Sequence, residues 1–323
     1  MNKILAVVGP TASGKTAFAL QLASQALQPP HNYSGVDLIS VDSRQVYRGL
    51  EILTGADVPE NFSEVDSDLP YYKHNDLEIV LHGVSMISVN QEWSVTHFKD
   101  FATQIILHAF ENNRLPILVG GTGLYHQQLL SSDEKLYVPP NEDVRRTAEK
   151  LSVSELSEWL FKVDPEALVQ MTDSDVDNPR RLVRAIEKTL WTKRYFAPKS
   201  MEENQYKNPL SECEIITFGM QLPLETIQEK IMQRVCERFE LGAVAEVKKL
   251  ERICENSNAP VFSTLGVPEI SEFLSGELTQ AECQNKWALH EFQYAKRQLT
   301  WFRKQESTTW LDELQKKQYT LIK

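Results

Sequence analysis

The feature that most constrains the fold of this chain is a glycine-containing loop close to its first residues. Gly9 to Thr16 read Gly-Pro-Thr-Ala-Ser-Gly-Lys-Thr and fit the pattern G-x-x-x-x-G-K-[ST] at every fixed position. An apolar run from Ile4 to Val8 precedes the loop, and apolar residues at helical spacing follow it from Lys15 to Ala26. This order predicts a buried strand, a phosphate-binding loop and a helix, a unit that builds parallel sheets.

Further strands of the same character follow along the chain. Short apolar runs at Asp37 to Val41, Leu115 to Val119 and Glu214 to Met220 are separated by amphipathic stretches. Such alternation indicates a parallel sheet covered on both faces. We therefore predict an α/β fold with a P-loop NTPase-like parallel sheet core flanked by helices, and we expect the second strand to lie beside the first. Ligands of such sheets bind at the carboxyl ends of the strands.

The pattern changes after about residue 130, where helical spacing without β-branched clusters runs from 139 to 193. We predict that residues 1–130 and 205–323 form a P-loop α/β catalytic core with C-terminal helices. Residues 131–204 are predicted to be a helical insertion domain. A polar stretch at 195–211 indicates a loop, and the short alternating segments at 305–323 allow no assignment.

Composition excludes several classes of protein. Hydrophobic residues make up 41% and charged residues 24% of 323, which is typical of a globular enzyme and not of a disordered chain. The apolar run of five at the start is too short for a signal peptide or a membrane span, so we expect a cytoplasmic protein with no membrane partner. The net charge of −11 argues, taken alone, against a nucleic-acid binder.

The loop itself predicts phosphate chemistry. Its backbone N–H groups and the following helix N-terminus bind phosphate oxygens, Lys15 reaches the outer phosphate, and Thr16 can ligate Mg²⁺. The predicted diphosphate-binding residues are Gly9, Pro10, Thr11, Ala12, Ser13, Gly14, Lys15 and Thr16. ATP and other diphosphates present the same oxygens, so the loop leaves the phosphate compound open.

Asp42 is the second candidate, because it follows the predicted second strand in the segment Ser40 to Gly49. Its carboxylate could hold Mg²⁺ or accept a proton from a nucleophile. It could equally cap the following turn. Spacing alone leaves these alternatives open.

Four segments together resemble a known family. They are Gly9 to Thr16, Ser40 to Gly49, Gly120 to Tyr125 and Gln293 to Phe302, and they occur in the order found in tRNA dimethylallyltransferases of the bacterial type. The resemblance runs from Lys3 to about Asp312. It implies transfer of a dimethylallyl group to N6 of adenine 37, next to the anticodon of tRNAs that read codons beginning with U.

The resemblance also implies a role for individual residues. The loop would bind the pyrophosphate of dimethylallyl diphosphate with Mg²⁺ at Thr16, Arg234 would stabilise that leaving group, and Asp42 would be the general base. Thr16, Asp42 and Arg234 are thus the expected catalytic residues. The expected tRNA-binding residues are Asp42, Ser43, Arg44, Gln45, Thr122, Arg180, Arg181 and Arg184. The expected partners are the tRNA anticodon loop and dimethylallyl diphosphate, bound to a monomer.

Local charge agrees with an RNA partner. Residues 178–194 carry six basic side chains against Glu187, and residues 290–304 carry four against Glu291, with four aromatic residues interleaved. Basic residues contact phosphates and aromatic residues stack on unpaired bases. Both segments could also be solvated helix faces, and the aromatic residues could be core.

Three segments depart from the family pattern, and one of them is Val80 to Gly83, which reads Val-Leu-His-Gly where the family usually has a His-His-Leu element. Gly266 to Glu269 read Gly-Val-Pro-Glu where the family often has Gly-Tyr-Lys-Glu, and Glu291-Phe292 replaces a Thr-Arg pair. Three rival functions remain open: a small-molecule or nucleotide kinase that uses the loop for ATP, an isopentenyltransferase acting on free adenine nucleotides, and a non-catalytic RNA-binding module.

Overall fold

The structure is a computed structural model that describes residues 2–56, 58–195, 208–256 and 259–321. Contacts within the chain divide it into two compact units. The first contains residues 1–130 and 209–323, and the second contains residues 131–208. Most of the loop predicted at 195–211 lies outside the described residues.

The first unit is built on a sheet of eight strands. The strands are β1 (Lys3–Val8), β2 (Gly35–Ser40), β3 (Phe62–Val65), β4 (Tyr71–His74), β5 (Ile79–His82), β6 (Arg114–Gly120), β7 (Glu214–Met220) and β8 (Thr308–Leu311). Their spatial order is β3-β4-β5-β2-β6-β1-β7-β8. The strands from β5 to β8 pair in parallel, and β3 and β4 extend the sheet as antiparallel strands. The predicted α/β fold with a largely parallel core is confirmed.

One expectation about strand order is wrong. β2 does not lie beside β1, because β6 pairs with both of them: Leu118 is in register with Ala6 of β1 and with Ile39 of β2. A local sequence pattern identifies a strand but not the strands that pair with it, because pairing depends on packing between distant parts of the chain. The carboxyl ends of β1, β6 and β2 nevertheless remain side by side.

Four strands were not predicted from the sequence: β3, β4, β5 and β8. β3 has the sequence Phe-Ser-Glu-Val, with two exposed polar residues, and β4 has only one buried residue, His74. β3, β4 and β8 lie at or near the edges of the sheet. Strands there are partly exposed to solvent and can carry polar residues, so they lack the continuous apolar pattern of a central strand.

Helices cover both faces of the sheet and supply the walls of its carboxyl edge. In this unit they are α1 (Lys15–Ala26), α2 (Glu51–Thr54), α3 (Val95–Glu111), α4 (Gly123–Leu130), α10 (Leu224–Leu241), α11 (Ala243–Ile253), α12 (Val267–Leu274), α13 (Gln280–Arg303) and α14 (Glu313–Gln318), with a 3-10 turn at Pro260–Ser263. α10 and α11 are divided at Gly242, whose φ of 114° only glycine adopts without strain.

The second unit is helical. Its helices are α5 (Glu142–Ala148), α6 (Val153–Val163), α7 (Pro165–Val169), α8 (Asp173–Val176) and α9 (Pro179–Tyr195), after a 3-10 turn at Glu134–Tyr137. α6 and α9 bury Leu156, Leu160, Leu182 and Ile186 in a core of their own. Across the described residues, no helix of either unit has the length and apolar composition needed to cross a membrane.

Candidate active site

A cavity of about 600 Å³ opens at the carboxyl edge of the sheet in the first unit. The segments that follow β1, β2 and β6 form its floor, with Lys15, Asp42 and Gly121 among the lining residues. Helices α2, α10 and α13 form its walls. The sheet thus brings the loop and Asp42 to one site, although their strands are not neighbours.

The phosphate-binding loop has the backbone conformation that its sequence requires. Gly14 precedes α1 with φ of 79°, and Gly9 has φ of 145°. A Cβ at Gly9 would lie 3.1 Å from the Cβ of Met220 on β7, so the loop also needs glycine there for close packing. Of the eight predicted loop residues, those from Thr11 to Thr16 line the cavity, and Gly9 and Pro10 are not among the lining residues.

Pro10 shapes the loop through its carbonyl oxygen, because proline has no N–H to offer a phosphate. That oxygen accepts hydrogen bonds from the Ser13 hydroxyl at 2.8 Å and the Lys15 ammonium at 2.6 Å. The N–H of the same peptide unit belongs to Thr11 and donates to Oε1 of Gln298 on α13 at 3.0 Å. The Thr11 N–H is therefore held by protein, and the turn is fixed on both sides of this peptide.

Lys15 lies in a strongly perturbed environment. Its pKa is lowered to about 8, first by burial and then by the nearby positive charge of Arg234, while the carboxylate of Asp42 opposes the shift. Two cations facing one cavity favour an anion between them. An ammonium has three donors, so Lys15 can contact a phosphate while one N–H stays on Pro10.

Arg234 reaches the cavity from the middle of α10. A Cβ at Gly55, which has φ of 59°, would clash with the guanidinium groups of Arg234 and Arg238, so glycine at that position lets both approach α2. Nε of Arg234 is buried and has no hydrogen-bond partner among the described residues. An unpaired buried cationic donor is costly unless a ligand satisfies it, which favours an anion here.

Arg238, one helical turn further along α10, has a different environment. Its Nη1 lies 2.7 Å from Oε1 of Glu291 on α13, and both side chains are buried. The same oxygen accepts from the indole N–H of Trp287 at 3.0 Å. Glu291, one of the residues that depart from the family pattern, thus compensates the charge of Arg238 in the cavity wall.

Asp42 has one of the roles that the sequence left open, that of capping the following turn. Its Oδ1 accepts the backbone N–H of Arg44 at 2.8 Å and that of Gln45 at 3.3 Å, so one oxygen closes the turn after β2. The half-buried side chain also lines the cavity and acts electrostatically on Lys15. Asp42 is therefore held in place by one oxygen.

Ser43, Arg44 and Gln45 also line the cavity. Nη2 of Arg44 donates to Oγ of Ser263 at 2.9 Å, and Nε2 of Gln45 donates to the Gly55 carbonyl at 2.8 Å. These bonds attach the turn after β2 to the 3-10 turn and to α2. Thr122 lies next to this group, where its N–H donates to the Val41 carbonyl at 3.3 Å.

The cavity is positively charged although the chain is acidic. Six basic side chains line it against two acidic ones. The basic residues are Lys15, Arg44, Lys230, Arg234, Arg238 and Arg297, and the acidic residues are Asp42 and Glu291. A cleft with this balance concentrates anions, so it suits a diphosphate or an RNA backbone.

A family model described as IPP transferase matches residues 45–305 of this chain. The chain belongs to the IPP transferase family. The resemblance found in the sequence is thereby confirmed.

Curated relatives match nearly the whole length of this chain. A tRNA dimethylallyltransferase of Halalkalibacterium halodurans is 31% identical over 319 residues, 96% of this chain and 91% of the relative. The tRNA dimethylallyltransferase 1 of Geotalea uraniireducens is 32% identical over 305 residues, 94% of this chain and 89% of the relative.

Solved structures agree on the fold. The tRNA isopentenylpyrophosphate transferase of Bacillus halodurans superposes with a TM-score of 0.63 at 30% identity, covering 97% of this chain and 90% of the other. A eukaryotic dimethylallyltransferase acting on tRNA superposes with a TM-score of 0.71 at 20% identity, covering 99% and 76%, a likeness of fold alone.

Helix α13 contributes two cavity residues to which the sequence analysis assigned no role, Tyr294 and Gln298. Gln298 is buried, and besides accepting from Thr11 it donates from Nε2 to the Gly121 carbonyl at 3.0 Å. Tyr294, one turn earlier, also lines the cavity, and burial, followed by the negative charge of Asp42, raises its pKa to about 12. Both residues belong to the segment Gln293 to Phe302, and its resemblance to the family was the sequence signal that could have identified them as site residues.

The other aromatic residues of that segment pack within the protein. Phe302 is buried and meets His126 edge-on at 5.6 Å between ring centroids, and Trp301 covers Gly123, where a Cβ would clash. Burial lowers the pKa of His126 to about 4, so its ring is neutral near pH 7. Phe302 is therefore a core residue, whereas Trp301 is half-buried and its stacking on an unpaired base stays a prediction.

The three arginines predicted to bind tRNA belong to the second unit. Arg180 and Arg181 are exposed at the start of α9, and Arg181 pairs with Asp175. Arg184 is half-buried and lies 3.0 Å from Oε2 of the buried Glu187. Arg184 therefore has a structural partner, and the RNA contact of all three stays a prediction.

Proposed function

We propose that this chain transfers the dimethylallyl group of dimethylallyl diphosphate to N6 of adenine 37, 3′ to the anticodon, in tRNAs that read codons beginning with U, and releases pyrophosphate. The observation that carries the proposal is the meeting of Lys15, Arg234 and Asp42 in one cationic cavity. We further propose that the enzyme acts as a cytoplasmic monomer.

The phosphate-binding loop and its two cations suit the leaving group. As the bond between the allylic carbon and the diphosphate oxygen breaks, its electron pair stays on that oxygen and negative charge grows there. Donors fixed before the reaction stabilise such charge without reorganising. The half-buried Lys15 and the buried, unpaired Nε of Arg234 are such donors.

Asp42 is suited to accept the proton that the adenine amine loses. The exocyclic nitrogen of adenine forms the new bond to the allylic carbon and must lose one proton. An adenine amine is barely acidic, so the proton is removed as the bond forms, and a carboxylate within hydrogen-bond reach accepts it. Because Oδ1 holds the backbone N–H groups of Arg44 and Gln45, we assign the proton to Oδ2.

The donor groups present fit Mg²⁺ bound together with substrate. The hydroxyl of Thr16 and the carboxylate of Asp42 both line the cavity, and hard oxygen ligands are those that Mg²⁺ prefers. Among the described residues, no group of three or more His, Cys, Asp or Glu side chains could hold a metal by itself. Thr16 would therefore hold Mg²⁺ jointly with diphosphate oxygens, where the ion would neutralise the charge of the leaving group.

The acceptor must enter the cavity as an unstacked base, since enzymes that modify a base inside a folded nucleic acid extrude it first. Ser43, Arg44 and Gln45 line the cavity beside Asp42, and Thr122 bonds to the neighbouring Val41, which supports their contact with an extruded adenine. The exposed Arg180 and Arg181 suit phosphates of the anticodon stem and loop.

One assay separates this function from its rivals. The protein is incubated with Mg²⁺, labelled dimethylallyl diphosphate and either unmodified tRNA or free AMP, and in parallel with ATP. We expect label in tRNA, none in AMP and no ADP. Label in AMP would favour the free-nucleotide enzyme, ADP formation would favour a kinase, and an unlabelled tRNA would contradict the proposal.

A further inference from the structure

The last part of the chain packs against the phosphate-binding loop. β8 pairs in parallel with β7, and α14 follows it, both beyond the residues that the family model matches. The side chain of Gln21 on α1 donates to the carbonyl groups of Lys316 and Tyr319 at 3.0 and 3.1 Å. The ring of Tyr319 packs edge-on against Phe18 and Phe218. The tail thus lies directly on the helix that the loop opens.

Lys316 is the residue of this tail that reaches the loop. Its side chain is 8% exposed, and its Nζ donates to the Ser13 carbonyl at 3.2 Å and to Oε1 of Glu313 at 2.7 Å. The ammonium in turn lowers the pKa of the Glu313 carboxyl. Glu313 lies 4.0 Å from Lys230, which lines the cavity. A buried lysine with two defined acceptors is held in one geometry, unlike a solvated surface charge.

The bond to Ser13 constrains the orientation of one loop peptide. In a trans peptide unit the C=O and the N–H point in opposite directions, so holding the Ser13 carbonyl also fixes the direction of the Gly14 N–H. Gly14 lines the cavity and Lys316 does not. Glycine leaves this peptide free to rotate unless a partner holds it, because φ on either side of zero is accessible.

We propose that Lys316 is a positioning residue, which holds the Ser13–Gly14 peptide so that the Gly14 N–H faces the diphosphate, and that Glu313 holds Lys316 in place. This inference rests on the proposed function, since it assumes a diphosphate in the loop. It gives the unassigned end of the chain a role in binding the prenyl donor.

Glu313 distinguishes this role from simple electrostatics. If Lys316 acted only as a distant positive charge, removing the nearby negative charge in Glu313→Gln would strengthen diphosphate binding. If Lys316 acts by holding the peptide, Glu313→Gln loosens the ammonium and weakens binding. The two explanations therefore predict opposite signs.

The experiment measures the affinity of the full chain for inorganic pyrophosphate with Mg²⁺ by calorimetry. Lys316→Met removes the ammonium and keeps the length of the side chain. Lys317→Met, the next residue and exposed, removes the same charge from the same helix. We expect about a tenfold higher Kd for Lys316→Met and about a threefold higher Kd for Glu313→Gln, the scale of a lost charged hydrogen bond. Lys317→Met should bind like the wild type.

Further readouts separate positioning from a loss of folding. The KM for dimethylallyl diphosphate should rise in Lys316→Met while the KM for tRNA stays unchanged, and Lys316→Arg should restore part of the affinity. Wild-type affinity in Lys316→Met, or tighter binding in Glu313→Gln, would overturn the inference. A wild type that binds no pyrophosphate would contradict the proposed function and this inference with it.

Discussion

Asp42 and Lys15 each make a structural hydrogen bond and also line the cavity. Asp42 closes a turn with Oδ1, and Lys15 donates to Pro10 within its own loop. The sequence predicted both residues, because the loop pattern and the strand-end position are local signals. It could not predict that Thr11 would give its N–H to Gln298, 287 positions away, since no local pattern reports a contact between distant segments.

Replacing Asp42 by Asn tests the proton acceptor without disturbing its turn. The amide oxygen of Asn can still accept from Arg44 and Gln45, but the side chain can no longer take a proton. We expect the single-turnover rate of transfer to fall by about 10² to 10⁴, the usual contribution of a general base. Affinity for dimethylallyl diphosphate should be unchanged, and an unaffected rate would contradict the assignment of Asp42.

The perturbed pKa of Lys15 predicts a pH dependence of donor binding. Only the charged ammonium attracts a diphosphate, and the pKa of Lys15 is about 8 in the free protein. Above that pH binding must take up a proton, so the Kd for dimethylallyl diphosphate should rise toward about tenfold per pH unit. Calorimetry from about pH 7.5 to about pH 9.5 measures this.

The matched variant for that pH profile is Lys15→Arg. A guanidinium stays charged over the whole range, so its Kd should be higher than that of the wild type near neutral pH but independent of pH. A wild-type Kd that stays flat across pH 8 would show that Lys15 keeps an ordinary pKa.

Helix α13 contacts the phosphate-binding loop, the cavity and α10. From a single face it places Tyr294 and Gln298 in the cavity and pairs Glu291 with Arg238 of α10. Helical spacing places residues 294 and 298 on one side, and the structure shows what that side contacts. The position of α13 across the end of the sheet is a property of long-range packing, which the sequence of one helix does not contain.

Gln298→Ala should damage both the stability and the donor site. It leaves the Thr11 N–H and the Gly121 carbonyl without their side-chain partner, which costs about 1–3 kcal/mol of unfolding free energy when such groups are buried. The KM for dimethylallyl diphosphate should rise about tenfold as the loop loosens. Denaturant unfolding and steady-state kinetics measure the two effects.

Thr300→Ala, on the exposed side of the same helix, is the control for Gln298. Within the described part of the chain its hydroxyl bonds only to the carbonyl of Lys296 one turn earlier, so both quantities should stay near wild type. If Gln298→Ala matched this control in KM, the contact between α13 and the loop would be irrelevant to donor binding.

Over the whole molecule, the net charge of −11 hides a basic cavity and a basic stretch on α9. Binding of a polyanion depends on the local field more than on the total. Composition alone argued against a nucleic-acid partner, and the placement of charge reverses that argument. The parallel strands β1, β2, β6 and β7 were also predictable, because buried strands are continuously apolar, whereas β5 and the more polar strands β3, β4 and β8 were not.

The double variant Arg180→Gln and Arg181→Gln tests the RNA contact of α9. Loss of two phosphate contacts should raise the Kd for tRNA about tenfold and reduce the slope of log Kd against log salt by about two. Affinity for dimethylallyl diphosphate should not change. Filter binding over a series of salt concentrations measures both quantities for tRNA.

The control for that double variant is Lys150→Gln with Lys162→Gln, which removes two exposed charges elsewhere in residues 131–208. Equal losses in the two double variants would indicate general attraction and not a contact at α9. An unchanged salt slope in the arginine variant would exclude Arg180 and Arg181 from the interface.

The most direct test of the proposed transfer detects the prenylated base itself. Unmodified tRNA is incubated with the wild type, Mg²⁺ and dimethylallyl diphosphate, digested to nucleosides and analysed by mass spectrometry. We expect one N6-dimethylallyl adenosine per tRNA, located at the base 3′ to the anticodon, and one pyrophosphate released for each group transferred. Unmodified adenosine at that position, from protein that binds both substrates, would contradict the proposed transfer.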